Sequence, residues 1–206
     1  MSTGSQSNKT PDPLNVNQIL IAEFRYVAQT AFQANEDRAR VSNYFLVTTG
    51  ASVAAVLSAN LETTQPGTVY FGFTILFALL TAVGVITVLQ LARLRAAWRE
   101  SVLAMNTIKD YYIQHFPGDE LRTAFRWKTV SIPSASKRRS VAYLLALSVA
   151  LIDSATAGAA IIYFLLWLAT FPDNSPLIIP IGVLVAVCVF LAQTVAYVQW
   201  LNDKKT

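Results

Sequence analysis

The chain has few charged side chains, a single cysteine and a single histidine. Charged residues make up 14% of its 206 residues, against about 25% in typical soluble domains. Cys188 lies inside an apolar run, so one chain cannot form a disulfide framework, a zinc site of cysteine and histidine ligands, or a redox pair. With 54% hydrophobic residues, the composition is instead typical of an integral membrane protein with a modest part in water.

Catalytic motifs are also lacking. The sequence contains no G-x-S-x-G, P-loop or G-x-G-x-x-G pattern. His115 stands just before Pro117, at a predicted helix end where an imidazole ring can interact with the helix dipole and the last carbonyls. We therefore expect a protein that is not an enzyme and that holds no cofactor or metal.

Long apolar runs dominate what is present. Residues 44–60, 69–91, 141–169 and 177–200 form four such runs, and ~20 helical residues at ~1.5 Å each cross the ~30 Å core of a bilayer. The sequence therefore predicts an all-α integral membrane protein with four transmembrane helices. The last two runs form a second hairpin over residues 141–201.

The first two runs continue into polar sequence without a helix-breaking residue. Residues 15–43 precede the first run and residues 92–116 follow the second, and apolar positions recur in each with helical spacing. The two extensions reach roughly 40 Å each at ~1.5 Å per residue. We predict one long helical hairpin over residues 15–116, whose extensions pair as a cytoplasmic stalk. The alternative is that each extension lies on the membrane surface.

Three further segments complete the chain. Residues 1–14 are polar, contain two prolines and predict a disordered tail. We predict that residues 117–140 form a cytoplasmic connector with a short helix over residues 119–127. Residues 202–206 are expected to form a C-terminal tail.

Positive charge is distributed unevenly between the two sides of this topology. The loops 61–68 and 170–176 contain no lysine or arginine, so the positive-inside rule places both termini in the cytoplasm. Lys137, Arg138 and Arg139 precede the third span, and we favour topology determination over anionic-lipid recognition for them, since lipid-binding clusters usually hold about four to eight bases. Because topology accounts for the basic residues, no nucleic acid partner is expected.

Asp153 is the one acidic, basic or histidine side chain deep inside a predicted span. An aspartate at such depth is costly and is a functional candidate by default. Residues that could contact it at similar depth, or about one turn nearer the cytoplasm, are Thr81, Gly84, Ser154, Thr156 and Gln193. We give equal weight to two interpretations of Asp153. The first is that it belongs to an ion pathway. The second is that it is a protonated aspartic acid whose hydrogen bonds only hold helices together.

The first span is the shortest and the least apolar, which favours an interior place among the other helices. Its residues Gly50, Ala54 and Ser58 form a small-xxx-small row that permits close helix packing. We interpret this row, the α1 seam, as packing within one chain in preference to a dimer interface.

The arrangement of residues 15–116 resembles that of the SLATT-type membrane proteins of bacterial conflict systems. The similarity consists of an amphipathic helix, a two-span hairpin over residues 44–91 and a returning amphipathic helix, whereas the second hairpin has no counterpart in that two-span group. The resemblance implies a bacterial cytoplasmic membrane protein that forms homo-oligomers and perturbs the bilayer. It transfers no individual functional residue.

These observations lead to one expected function and two alternatives. We expect a non-enzymatic membrane effector or channel-like component, oligomeric, in which the stalk receives a signal or a cytosolic protein partner. The first alternative is a membrane scaffold that recruits a cytosolic partner. A small transporter is least favoured, because Asp153 has no second intramembrane charge and no pair of spans is broken midway.

Overall fold

The computed structural model describes residues 15–58, 65–116, 119–125, 137, 140–168 and 176–203. This part of the chain is all-α, as predicted, with the helices α1 (Val16–Ser58), α2 (Pro66–His115), α3 (Asp119–Ala124), α4 (Val141–Trp167) and α5 (Ile178–Asp203). By length and composition α1, α2, α4 and α5 could each cross a membrane. The four predicted apolar helices are therefore confirmed.

The two long helices run without a break from the apolar runs into the polar extensions. With 43 residues in α1 and 50 in α2, they extend about 65 and 75 Å at ~1.5 Å per residue. α2 begins at Pro66, three residues before the predicted run, because proline fits the first helical turn, where its missing N–H has no partner to lose. It ends at His115, and the Phe116 N–H donates to the Tyr112 carbonyl oxygen at 2.9 Å.

The remaining helices differ slightly in length from the predictions. α3 ends at Ala124 rather than at residue 127, and α5 continues to Asp203, into the predicted C-terminal tail. At the start of α4, the Ser140 hydroxyl accepts a hydrogen bond from the Tyr143 N–H at 3.2 Å, a side-chain N-cap. The predicted tail 1–14 and the side chains of Arg138 and Arg139 lie outside the described residues.

α2 is the central helix of the fold. It packs against α1 on one side and against α4 on the other, while α5 packs mainly against α4. Residues 16–43 of α1 and 92–115 of α2, called the stalk below, pack against each other, with Val27, Ala31 and Ile108 buried between them. The two extensions therefore pack against each other along part of their apolar sides.

The apolar helices enclose two clusters of buried residues at different levels. Phe45, Leu91 and Val149 belong to the cluster nearer the stalk, and Phe77, Leu80 and Ala160 to the one nearer the α1–α2 turn. Asp153 lies on α4 between these levels. The apolar packing above and below it thus isolates a layer of polar side chains.

The first span was predicted to lie in the interior among the other helices. For its C-terminal half this prediction is wrong. Gly50, Ala54 and Ser58 are all exposed, and a Cβ added at Gly50 would meet nothing within 4 Å. The physical reason is that α4 and α5 pack mainly against α2 and against each other, and that two serines of this half bond to carbonyls of their own helix. The Ser52 hydroxyl donates to the Thr48 carbonyl oxygen at 2.8 Å, and the Ser58 hydroxyl donates to the Ala55 carbonyl oxygen at 3.0 Å, so these two side chains need no partner on another helix. The α1 seam does not pack within one chain.

α4 and α5 meet instead at two glycines that the sequence analysis did not single out. A Cβ at Gly158 would lie 2.7 Å from the Gly182 carbonyl oxygen, and a Cβ at Gly182 would meet the Ile162 side chain at 2.5 Å. Contacts this short leave no room for a side chain. Gly158 and Gly182 therefore allow α4 and α5 to approach each other closely.

Candidate functional site

Asp153 lies fully buried, with 0% of its surface exposed, where α2, α4 and α5 meet. Gln193 of α5 donates from Nε2 to Asp153 Oδ2. The Thr156 hydroxyl lies 3.4 Å from Asp153 Oδ1 and 2.7 Å from the Asp153 backbone carbonyl oxygen. One oxygen of the carboxyl group is thus held across helices, and the other is contacted from its own helix.

Thr81 of α2 extends this network to a third helix. Its hydroxyl oxygen lies 3.0 Å from that of Thr156 and 2.8 Å from the Phe77 carbonyl oxygen. Each hydroxyl has one hydrogen to donate, so Thr81 can donate either to Phe77 or to Thr156. When it donates to Thr156, the hydrogen of Thr156 remains available for Asp153, and α2 is linked through two hydroxyls to the aspartate.

Gly84 provides the space that the Asp153 side chain occupies. It is buried on α2, and a Cβ built there would overlap the carboxyl group of Asp153 and lie 2.7 Å from its Cβ. α2 can approach α4 at this level because residue 84 has no side chain.

The structure therefore brings together most of the residues proposed for the intramembrane polar site. Thr81, Gly84, Thr156 and Gln193 all contact the Asp153 network, whereas the buried Ser154 hydroxyl donates to the Leu151 carbonyl oxygen at 2.7 Å. The depth comparison that selected these residues had no information on side-chain direction. That is why it included Ser154, which follows Asp153 in sequence but takes a local partner.

A small cavity continues from this network toward the stalk. Its volume is about 10 Å³, and it is lined by Gln193, Thr194 and Tyr197 of α5 together with apolar residues of α2 and α4. The buried Gln193 Oε1 has no hydrogen-bond partner. A space of this size is near the limit for one water molecule, which could hydrogen-bond to Gln193 Oε1.

Arg38 and Arg95 lie close to Tyr197 where the stalk meets the bundle, and Arg99 lies close to Arg95. Arg38 of α1 is 8% exposed and Arg95 of α2 is 6% exposed. Burial, and the nearby charge of Arg95, lower the pKa of Arg38, while burial and the charge of Arg99 lower the pKa of Arg95. Desolvation disfavours the charged form of a base, and neighbouring positive charge does the same.

Arg38, Arg95 and Arg99, called the arginine cluster below, were not among the candidates proposed from the sequence, because buried charge was sought only inside the four apolar runs. A signal was nevertheless present in α1. Its buried residues follow one helical face at intervals of three and four, and Arg38 falls on that line: Val27, Ala31, Ala34, Arg38, Ser42, Phe45 and Thr49. The register of the packed face thus predicts a buried arginine once charge is not taken as proof of exposure.

Other candidate residues have simpler surroundings. Lys137, the described member of the basic cluster, is exposed. Among the residues that the structure describes, no group of three histidine, cysteine, aspartate or glutamate side chains could hold a metal ion. His115 lies in the last turn of α2. Its Nδ1 atom lies 3.0 Å from the Tyr111 carbonyl oxygen, so its contact is with the end of its own helix.

Comparison of the chain with protein-family models, with curated proteins and with solved structures finds no match.

Proposed function

We propose that this chain is a non-enzymatic multi-pass protein of the bacterial cytoplasmic membrane, acting as an oligomeric membrane effector or channel-like component controlled through its stalk. The observation that carries the proposal is that one unbroken helix, α2, forms half of the stalk and also carries Gly84, against which Asp153 packs. A movement at the stalk therefore reaches the buried aspartate through a single rigid element.

The space at Gly84 makes this coupling strongly dependent on helix rotation. Neighbouring side chains on an α-helix are separated by ~100° around the axis. Turning α2 by one position would replace Gly84 with Val83 or Val85 and drive a branched side chain into the volume of the Asp153 carboxyl group. The bundle then has to open or release the Gln193 bond, which makes the layer a two-state element of the kind that coupling requires.

The charge of Asp153 gives such an opening a consequence. The described parts of α4 and α5 carry no lysine, arginine or histidine, so an ionised Asp153 would have no cationic partner on its own hairpin. When the layer opens, water or a cation can compensate the negative charge of Asp153. A rearranged bundle around Asp153 thus supports a path for ions across the proposed span.

Association between copies is part of the proposal and is supported by the exposed α1 seam. Gly50, Ala54 and Ser58 remain accessible because α4 and α5 pack elsewhere. In lipid, where apolar burial no longer drives helices together, small residues allow the close contacts that do. The architectural resemblance to SLATT-type proteins points to the same kind of assembly.

The proposal is tested by reconstituting the purified protein into liposomes and measuring ion and dye flux beside its detergent-corrected mass. Asp153→Asn keeps the shape of the side chain and removes its charge, so we expect unchanged insertion and assembly but altered flux. Ser148→Ala is the matched control, since Ser148 is exposed on the same helix and donates to the Leu144 carbonyl. Normal assembly with the same flux in all three proteins, under conditions where the wild type conducts, would count against Asp153.

The scaffold alternative is favoured by one observation, an apolar groove at the far end of the stalk. It has a volume of about 430 Å³, and Leu20, Phe24, Tyr112 and Phe125 contribute to its lining. The Lys109 ammonium lies 6.0 Å from the ring centres of both Phe24 and Phe125. A scaffold would keep liposomes tight at every protein concentration, and Phe24→Asp would abolish its cellular effect without a change in flux.

A further inference from the structure

The arginine cluster brings two positively charged side chains into a buried position. Arg38 and Arg95 come from facing helices, and both are more than nine-tenths buried. A buried cation normally requires a charged partner and hydrogen bonds for its N–H groups. Arg38 Nη2 donates to Asn35 Oδ1, which supplies a hydrogen bond but no negative charge.

The ion pair next to Arg38 in the sequence does not include it. Asp37 pairs with Arg40 at 3.5 Å, and the Arg40 side chain is 77% exposed. The connector sequence that follows α3, residues 126–139, contains no aspartate or glutamate and five lysines or arginines. The connector can therefore contribute positive charge but no carboxylate.

Two of the guanidinium groups also have unused hydrogen-bond donors. The Nε atoms of Arg95 and Arg99 are buried and have no partner. The guanidinium carbon of Arg95 lies 4.5 Å from the centre of the Trp98 ring, so the ring covers the guanidinium face and not its edge. In-plane N–H groups of this kind match the oxygens of a phosphate or carboxylate in a bidentate arrangement.

The depth of the cluster indicates which anion is available. Arg95 lies four residues beyond Leu91, the predicted end of the second span, or ~6 Å along the helix at ~1.5 Å per residue. The polar layer of a bilayer extends roughly 5–8 Å beyond the hydrocarbon core on each side. The backbone of Arg95 thus lies at the level of the lipid phosphates in the proposed membrane topology.

We propose that Arg38 and Arg95, assisted by Arg99, form a binding site for a phosphate-bearing anion between α1 and α2 at the base of the stalk. Basic sites between helices on the cytoplasmic side are suited to anionic lipid headgroups, and the same donors would accept free phosphate. On α2, Arg95 lies eleven residues beyond Gly84, or ~16 Å along the helix at ~1.5 Å per residue, and the site does not depend on whether the protein conducts ions.

The test measures thermal unfolding of the full chain, delipidated in an uncharged detergent. It is titrated in separate arms with phosphatidylglycerol, with phosphatidylcholine and with inorganic phosphate. We expect phosphatidylglycerol to raise the melting temperature of the wild type and phosphatidylcholine to raise it much less. Arg95→Gln and Arg38→Gln should each weaken the apparent affinity about tenfold or more, since each removes a charge-assisted hydrogen-bonding partner.

Arg93→Gln is the matched control, because Arg93 is exposed and lies two residues from Arg95 on the same helix. It should retain the response of the wild type. An equal loss in Arg93→Gln would show general surface attraction and overturn the site, as would the absence of a shift with any anion. If inorganic phosphate is as effective as phosphatidylglycerol, the site stands and its ligand is free phosphate.

The unliganded proteins separate binding from a purely structural role. Without an anion, Arg38 and Arg95 repel each other and remain desolvated, so each glutamine variant should be at least as stable as the wild type. With phosphatidylglycerol the order should reverse. A glutamine variant that is less stable than the wild type by the same amount in both conditions would overturn the proposal.

Discussion

The contact between Gly84 and Asp153 makes Gly84→Ala the sharpest probe of the polar layer. The added methyl group would overlap the Asp153 carboxyl group, so either α2 moves away from α4 or the aspartate rotates and gives up Gln193. Gly72→Ala on the same helix is the reference, because Gly72 is exposed and its added Cβ would meet nothing within 4 Å. The difference between the variants cancels the change in helix propensity.

The expected size of that difference follows from two contributions. Overpacking a tight contact costs about 1–3 kcal/mol, and an interhelical hydrogen bond in a membrane contributes about 0.6 kcal/mol. We expect Gly84→Ala to be less stable than Gly72→Ala by about 2 kcal/mol, or about thirtyfold in the unfolding equilibrium. Reversible unfolding in mixed micelles, followed by circular dichroism, measures both variants.

A double-mutant cycle identifies the atoms responsible. Asp153→Ala removes the carboxyl group that the new methyl group would overlap, so Gly84→Ala should cost markedly less in that background than in the wild type. Equal stability of Gly84→Ala and Gly72→Ala, or costs that simply add in the double mutant, would refute the steric account and the coupling built on it.

Three further outcomes follow from the packing. Gly158→Ala should lose about 1–3 kcal/mol of stability, because its Cβ would lie 2.7 Å from the Gly182 carbonyl oxygen; a neutral effect in the same unfolding assay would contradict the close α4–α5 approach. Gly50→Ile should leave the stability of the single chain within about 0.5 kcal/mol of the wild type, and a clear loss at a dilution where the chain is monomeric would show that the seam packs within one chain after all. Cys188, exposed on α5, should resist a water-soluble maleimide in intact membranes and react after solubilisation in denaturing detergent; labelling in intact membranes would place this residue in water.

Some of this architecture was accessible from the sequence because it depends on short-range patterns. Long apolar runs predicted the four helices, and the absence of proline and glycine after Gly84 predicted that α2 continues into the stalk. The association of Asp153 with Thr81 and Gln193 followed from counting residues along spans of similar length. Each inference required only distance along a helix.

Features that depend on which helices are neighbours were not accessible. The short first span was placed in the interior because of its hydroxyl groups, but Ser52 satisfies its hydroxyl within its own helix. Arg38 lies outside the predicted spans, where buried charge was not sought, although the packed register of α1 includes it. The Gly158–Gly182 approach depends on the relative height of α4 and α5, which is set by the packing of the two helices and not by a local sequence pattern.

The hydrogen bond between Gln193 and Asp153 has a consequence for biogenesis. Both residues belong to the second hairpin, so the costly carboxyl group of α4 has a donor on α5 before either helix meets α2. For a chain that inserts one hairpin at a time, this pairing lets the second hairpin enter the bilayer with its polar side chains already matched, and α2 needs only to offer the gap at Gly84. In such a chain, the hydrogen bond between α4 and α5 forms first, and the packing of Asp153 against Gly84 of α2 follows.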